Sequence, residues 1–492
     1  MHFPALTILS ILPLCLEFTP SAAAQDAPHE IFRTPERIAF DEYLSKAEAR
    51  LIPQLEELAV WCQNARLYRE RDRIYRGVLA MDPKNSTARR ALRYFKQGGA
   101  WHQSTAYHVP RNRGPEHLSE YRERLTLATA RFRSRVFRRL ERGRSSLGLE
   151  AREQVFRKLL LIDPDDQDLR TVLGEARLGE HCVLEETARA DRGRRNIGDL
   201  ARISLEVTKK PAITTPNRSE RKLDLLWSAA RSTPRVRVVG TTKTREVEHT
   251  AHVTDAVGAY FRGVFRRDQP HRKAYTIYLL RNPEERDRML AGMPWIDTQT
   301  QKLLRSASGG WLGRPNVLGE WDPDPARRLD GAARQTLGTL LMDAYGVGGK
   351  NGWAWEGMGL YLVYQLTGTR KTYFIDRQAY VRTSQTTLWP KLQSPETDWL
   401  VEGRNLLASP AAPGLEFLLG RSVDTMRDED LLVAYVLSAY LLEGRPDDVP
   451  RILRRIGAGE HPVVVFEDVM GFSVPVLERR LRRWLDEVLE TR

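Results

Sequence analysis

The sequence predicts a predominantly helical α+β protein, with helical hairpins first and then a domain of packed helices around a small sheet. Three observations predict this. Apolar residues recur at helical spacing from Phe40 to about Tyr94. The rhythm changes at Arg235 to an alternation of charged and branched residues, and a long helical run spans about Ala326 to Tyr345. At 492 residues the chain is too long for one ordinary core. Its 41% hydrophobic content and 11 Trp argue against disorder. The expected divisions are 1–24, a signal peptide; 30–205, helical; 206–233, a linker; and 234–492, the sheet-containing domain.

Residues Phe3 to Phe18 form a mostly apolar run that ends in Ser21-Ala22-Ala23-Ala24. A short apolar segment closed by small residues is a secretory signal. Cleavage near Ala24 would place the mature chain in the periplasm or outside the cell. The segment departs from the ideal in having His2 but no Lys or Arg ahead of it, and Cys15 introduces the option of a lipid anchor. Pro13-Leu14 suit a lipoprotein cleavage site poorly, which favours simple export. No later stretch reaches the roughly 18 apolar residues of a membrane helix, so no transmembrane segment is expected. Once the signal is removed only Cys62 and Cys182 remain, and their spacing leaves both pairing and two separate thiols open.

The formal charge of +13 raises nucleic acid as a partner. The 77 basic residues are interspersed with 64 acidic ones along helices, however. That pattern fits an Arg-rich solvated surface, and no specific nucleic-acid site is expected.

In the first part, Leu51, Leu55, Leu58, Ala59 and Cys62 mark one helix and Ile74, Tyr75, Val78 and Leu79 the next. The second stops at Met81-Asp82-Pro83, because proline lacks the amide that would continue the helix. The device returns as Val155-Phe156 … Ile162-Asp163-Pro164, 81 residues later. In both copies an aromatic precedes the proline by eight residues. This interval, with the small Ala59, resembles the tetratricopeptide pattern of stacked helical hairpins. Arg71 stands where that pattern has alanine, and the copies are not in tandem. The resemblance implies degenerate hairpins, with Ser119 to Arg142 as a less regular neighbour. Their role is either a concave surface for a protein or peptide partner or a spacer against the next domain. Lys209-Lys210-Pro211 and Thr214-Thr215-Pro216-Asn217 give the linker its turn-rich character.

Past it, Arg235-Val236-Arg237-Val238-Val239-Gly240 reads as a strand exposed on one face. Val253, Val257, Tyr260, Phe261 and Phe265 mark a helix, and Tyr275 to Leu280 a second strand. Asn282-Pro283-Glu284-Glu285 opens another helix. Ser308 to Gly313 and Asn316 to Gly319 suggest a short strand pair. The long helix follows, then a Gly-rich break at Gly346 to Gly349 and the phrase Trp353-Ala354-Trp355-Glu356-Gly357.

This order, with Leu431 … Leu442 and Phe466 … Trp484 as later helices, resembles the peptidase-MA-like, gluzincin-type domains over roughly residues 235–490. The resemblance implies a zinc site. His-Glu-x-x-His on the first helix places two ligands on one face, with a glutamate base between them. A Trp-x-x-Glu-Gly phrase on the next helix supplies the third ligand. Glu356 matches that ligand. The first phrase is missing: in Ala333 to Leu341 the two registers place Arg334/Gly338 or Gln335/Thr339 at the histidine positions. The base becomes Gln335 or Thr336, and no histidine occurs between His271 and His461. Zinc, expected in the family, is therefore not expected here. No metal ligands, catalytic residues or cofactor are assigned.

Arg334, Gln335, Thr339, Trp353, Trp355 and Glu356 are then the candidates for a vestigial cleft. Alternatively, Glu356 only caps a helix or pairs with an arginine such as Arg334. His249 and His252, at i and i+3, are the remaining metal candidates beside Glu356. Asp322-x-Asp324 begins like a calcium loop but Ala326 and Arg327 break the series. Gly346 to Lys350 fails as a phosphate loop, and no G-x-S-x-G occurs. The expected function is a catalytically inactive metallopeptidase-like protein serving as an envelope or secreted binding or scaffold module. The alternative is a hydrolase whose site is rebuilt from His249, His252 and Glu356, or is metal-free.

Overall fold

The computed structural model describes residues 34–491 apart from 99, 105, 144–146, 180, 267–273, 315 and 372–387. The signal-peptide reading of residues 1–24 lies outside the described residues. The chain is 65% helical with small sheets, a predominantly helical α+β protein. It divides into two compact units, 1–165 and 166–492.

In the first unit α1 (Pro35–Asn64) starts at Thr34, whose hydroxyl accepts from the Arg37 amide at 3.2 Å. α2 (Tyr68–Met81) packs back on α1 through Leu55, Cys62, Ile74 and Val78, all fully buried. α4 (Leu118–Arg142) packs on α1, and α5 (Gly148–Ile162) packs on α2. Tyr121, Leu125, Phe132, Val136 and Leu140 of α4 face inward at helical spacing. Arg71 is held by Asp72 at 2.7 Å and by the Tyr107 hydroxyl at 2.9 Å. The loop after the first hairpin thus folds over the place where a simple repeat has alanine.

The 81-residue echo extends well beyond the helices. α3 (Ser86–Ala91) is followed by β1 (Tyr94–Gln97) and β2 (Ala100–Gln103), an antiparallel hairpin. α6 (Gln167–Val172), β3 (Glu175–Leu178) and β4 (His181–Leu184) repeat this at the same offset. Asn85 and Asp166 cap their short helices alike, accepting from the Ala88 and Leu169 amides. The left-handed residues also match, Arg93 (φ 60°) with Gly174 (66°) and Gly98 (58°) with Gly179 (60°).

In the second unit α7 (Glu185–Val207) packs on α8 (Thr244–Phe265) and on a π-helical turn, Tyr440–Gly444. Residues 206–233, read from sequence as a linker, instead carry β5 (Ala212–Thr214) and β6 (Ala229–Ser232). With β7 (Val236–Gly240), β8 (Tyr275–Leu279), β9 (Gly309–Trp311) and β10 (Val317–Glu320) they form one sheet in the order β5-β6-β7-β8-β10-β9. β7–β8 and β8–β10 are parallel, and the other pairs antiparallel.

Both sheet faces are covered, so β7 is not a one-sided strand. Val236, Val238, Ile277 and Leu279 meet Val247 and Ala251 of α8 on one face. Val239, Tyr278 and Leu280 meet Met289 and Leu290 of α9 (Pro283–Ala291) on the other. Arg237 donates two bonds of 2.7 Å to Glu220, which is completely buried. Its charge is therefore paired rather than solvated.

Glu186, on α7, ties the unit together. Its carboxylate receives Arg480 at 2.7 Å, and Arg445 and the Tyr440 hydroxyl at 3.1 Å each. Burial pushes its pKa up, but the two guanidiniums outweigh burial and hold it below the usual carboxylate range.

Candidate functional site

α11 (Pro325–Tyr345) follows the sheet. Asp324 caps it, accepting from the Ala326 amide at 2.9 Å, and Pro325 fits the first turn, where no amide partner is needed. This accounts for Asp324 without calcium. Gly346, at φ 75°, ends the helix in the left-handed conformation, which accounts for the glycine-rich break. Gly331 through Leu341 are all buried, so α11 is a central helix. A π-helical turn, Trp353–Met358, and α12 (Gly359–Thr367) lie beside it.

The structure brings the six candidate residues into one interior region, but not around a cleft. Arg334, Gln335, Thr339, Trp353, Trp355 and Glu356 are 0–6% exposed. Arg334 Nη2 contacts Glu356 Oε2 at 2.7 Å, and its Nη1 donates to the Glu356 carbonyl at 3.0 Å. One guanidinium thus holds both the carboxylate and the backbone of Glu356. The close approach requires Gly359, where a Cβ would collide with the guanidinium.

Thr339 takes a bond from the Trp311 indole at 3.1 Å and gives one to the Gln335 carbonyl at 2.9 Å. Trp311 and Trp355 lie with ring centroids 5.6 Å apart. A Cβ on Gly338 would come within 2.6 Å of the Trp355 ring, so a histidine at that position has no room. Trp353 packs edge-on against Phe466, 5.2 Å away. The tryptophans that read as cleft walls are core.

Glu320, at the end of β10, is a site residue that sequence reasoning missed. It is 2% exposed, receives Gln335 Nε2, and packs against Gly309 and Gly331. Burial, then Asp322 and Asp330, push its pKa well above the usual carboxylate range. The usable signal was a glutamate ending a strand, paired with Gly309, which has no side chain to crowd its carboxyl.

His249 and His252 lie on α8, outside this packing. Burial, then His252 and Arg245, lower the His249 pKa. Among the described residues no three His, Cys, Asp or Glu side chains form a group able to hold a metal ion. In particular, His249, His252 and Glu356 do not assemble into one. Cys62 and Cys182 are unpaired, and burial pushes the Cys62 thiol up to about 12. No helix among the described residues is long and apolar enough to cross a membrane.

Two cavities lie elsewhere in this unit. One of about 500 Å³ is walled by Ile197, Leu200, Phe265 and Val449, and another of about 390 Å³ surrounds Arg370 and Tyr364. Comparison with protein families, with curated proteins and with solved structures finds no match.

Proposed function

We propose that residues 234–492 are a peptidase-MA-like domain that has given up zinc chemistry. In this reading the chain acts as a binding or scaffold module in the periplasm or outside the cell, and the helical region 30–205 supplies its contact surface. One observation carries it: the Arg334 guanidinium stands at a ligand position of the family's helix and occupies the Glu356 carboxylate. A cation already fills the place where a divalent ion would need Glu356. Zinc does not fit these residues, since arginine donates but offers no lone pair, and Gln335 is no base at neutral pH.

The test is elemental mass spectrometry of the purified chain after mild chelation and zinc re-addition. Less than about a tenth of an equivalent is expected, because a structural or catalytic site binds zinc stoichiometrically. About one equivalent, lost in Glu356→Ala, would overturn the reading.

A further inference from the structure

The 81-residue echo reaches back into the first helix of each copy. Phe40, Leu44, Leu51, Leu55 and Ala59 of α1 match Tyr121, Leu125, Phe132, Val136 and Leu140 of α4, and all of them are buried. The two helices therefore turn corresponding faces inward and corresponding faces outward. The outward faces differ in charge. α1 presents Lys46, Arg50, Gln54, Glu57 and the half-buried Trp61, a mixed surface. At the same places α4 presents Leu127, Arg131, Arg135, Arg138 and Arg142, all exposed.

At 3.6 residues per turn the four arginines fall within about 60° of one another, in a row about 16 Å long. None of them meets a carboxylate among the described residues. The acids of this helix are either engaged or turned aside. Glu120, at the start of the same face, is held by Arg124 at 2.7 Å, and Glu141 is held by Arg152. Glu123 and Glu141 both lie about 80° round the helix from Arg131. Arg131 with Arg135, and Arg138 with Arg142, are like charges at i and i+4, a spacing that destabilises a helix unless a counter-charge relieves it.

The row runs straight along the outside of the helix, and no aromatic ring stands out beside it to stack on a base. Phe132 is buried, and Phe137 packs edge-on against Phe156 at 5.1 Å. The face instead carries Leu127, 76% exposed, one turn ahead of Arg131. A straight row of guanidiniums with an apolar side chain at one end matches a plane of anionic headgroups with hydrocarbon beneath it.

We propose that this face of α4, with Leu127, Arg131, Arg135, Arg138 and Arg142, attaches the chain to the surface of a membrane containing anionic phospholipid. The guanidiniums meet headgroup phosphates, which their planar fork suits, and Leu127 enters the boundary of the acyl chains. The attachment is peripheral. It rests on the reading of region 30–205 as the chain's contact surface and is independent of the state of Arg334.

The test is sedimentation of the full chain with mixed phosphatidylglycerol–phosphatidylcholine vesicles and with pure phosphatidylcholine vesicles. The ratio of the two partition coefficients is read, so that attachment by the apolar residues 3–18, which is indifferent to headgroup charge, cancels. The ratio is expected to be on the order of a hundredfold at low salt. It is expected to fall as salt is raised, because screening confines the attraction to about 8 Å at 0.15 M. Each arginine removed costs about fivefold, so Arg135→Gln/Arg138→Gln lowers the ratio about 25-fold. Arg218→Gln/Arg288→Gln removes the same charge from exposed positions off this face and is expected to change the ratio less than about twofold. Both variants keep the wild-type thermal transition, because these side chains are exposed and unpaired. A wild-type ratio near one would overturn the proposal, and so would equal losses in the two variants, which would assign the attraction to overall charge. Absence of vesicle binding alongside Arg135-dependent binding of oligo-dT or poly-glutamate would also overturn it, assigning the face to nucleic acid or an acidic protein. Zinc uptake and vesicle partition are separate readouts, so either can fail alone.

Discussion

Arg334→Met is the substitution whose cost follows most directly from the site. Arg334 and Glu356 are 2% and 0% exposed, so solvent screens their interaction little. Methionine fills much of the volume but leaves the Glu356 carboxyl buried without its cation. A buried carboxylate that loses its cation is driven to take up a proton rather than stay charged. Neutralising a carboxyl of reference pKa about 4.3 at pH 7 costs about 3.7 kcal/mol. The Glu356 carbonyl, bonded to Nη1 at 3.0 Å, also loses a donor, which adds about 1 kcal/mol. The total, about 4 to 5 kcal/mol, agrees with the cost of breaking a buried ion pair from one side.

Urea unfolding of wild type and variant at several pH values measures this. The penalty is expected to shrink by about 1.4 kcal/mol per pH unit on acidification and to be near 1–2 kcal/mol at pH 5. Arg334→Met/Glu356→Gln, which has no charge to neutralise, is expected to lose that pH dependence and lie within about 2 kcal/mol of wild type. A penalty below about 1 kcal/mol at pH 7, or one independent of pH, would show that the pair does not organise this region.

Three further outcomes follow from the same packing. Gly338→Ala is expected to cost about 1–3 kcal/mol in thermal unfolding, because the new methyl meets the Trp355 ring and the core has little slack. Glu320 has a raised folded-state pKa, so its contribution is fully present below about pH 4.5 and is lost as pH rises toward that pKa. Glu320→Gln should therefore gain stability relative to wild type as pH is raised above this range, measured by urea midpoints. Glu186 has a depressed folded-state pKa, so it contributes above the unfolded-state value and the contribution fades as pH falls through the folded one. Glu186→Gln is expected to cost about 2–4 kcal/mol at pH 7 and little in acid, and an equal cost at both would refute the assignment.

The long α11, both parallel strands and the strand pair ahead of α11 were legible because period and caps agree there: Asp324-Pro325 opens the helix and Gly346 closes it. The β5–β6 segment was not, since Lys209 to Asn217 has the composition of a linker and its short strands are fixed only by pairing with β7. The Arg334–Glu356 pair was visible as one option because a family motif set the two residues side by side. Glu320 and Glu186 were not, because what makes each notable is the set of distant groups around it, and no local pattern encodes that. The hairpins were missed because their matching glycines and arginines become meaningful only once both copies share a backbone.

The Glu186 hub has a consequence for how the second unit is made. Its carboxylate lies 294 residues from Arg480 in the chain. At about 5–20 residues per second, synthesis of the intervening stretch takes on the order of half a minute. During that interval α7 exists without the helix that completes its charge pairing. The second unit therefore cannot close vectorially as it emerges; its C-terminal helix is its latch, and a chain truncated before Val474 would leave Glu186 to Arg445 and Tyr440 alone and strip the β3–β4 hairpin of its Arg483 and Glu487 partners.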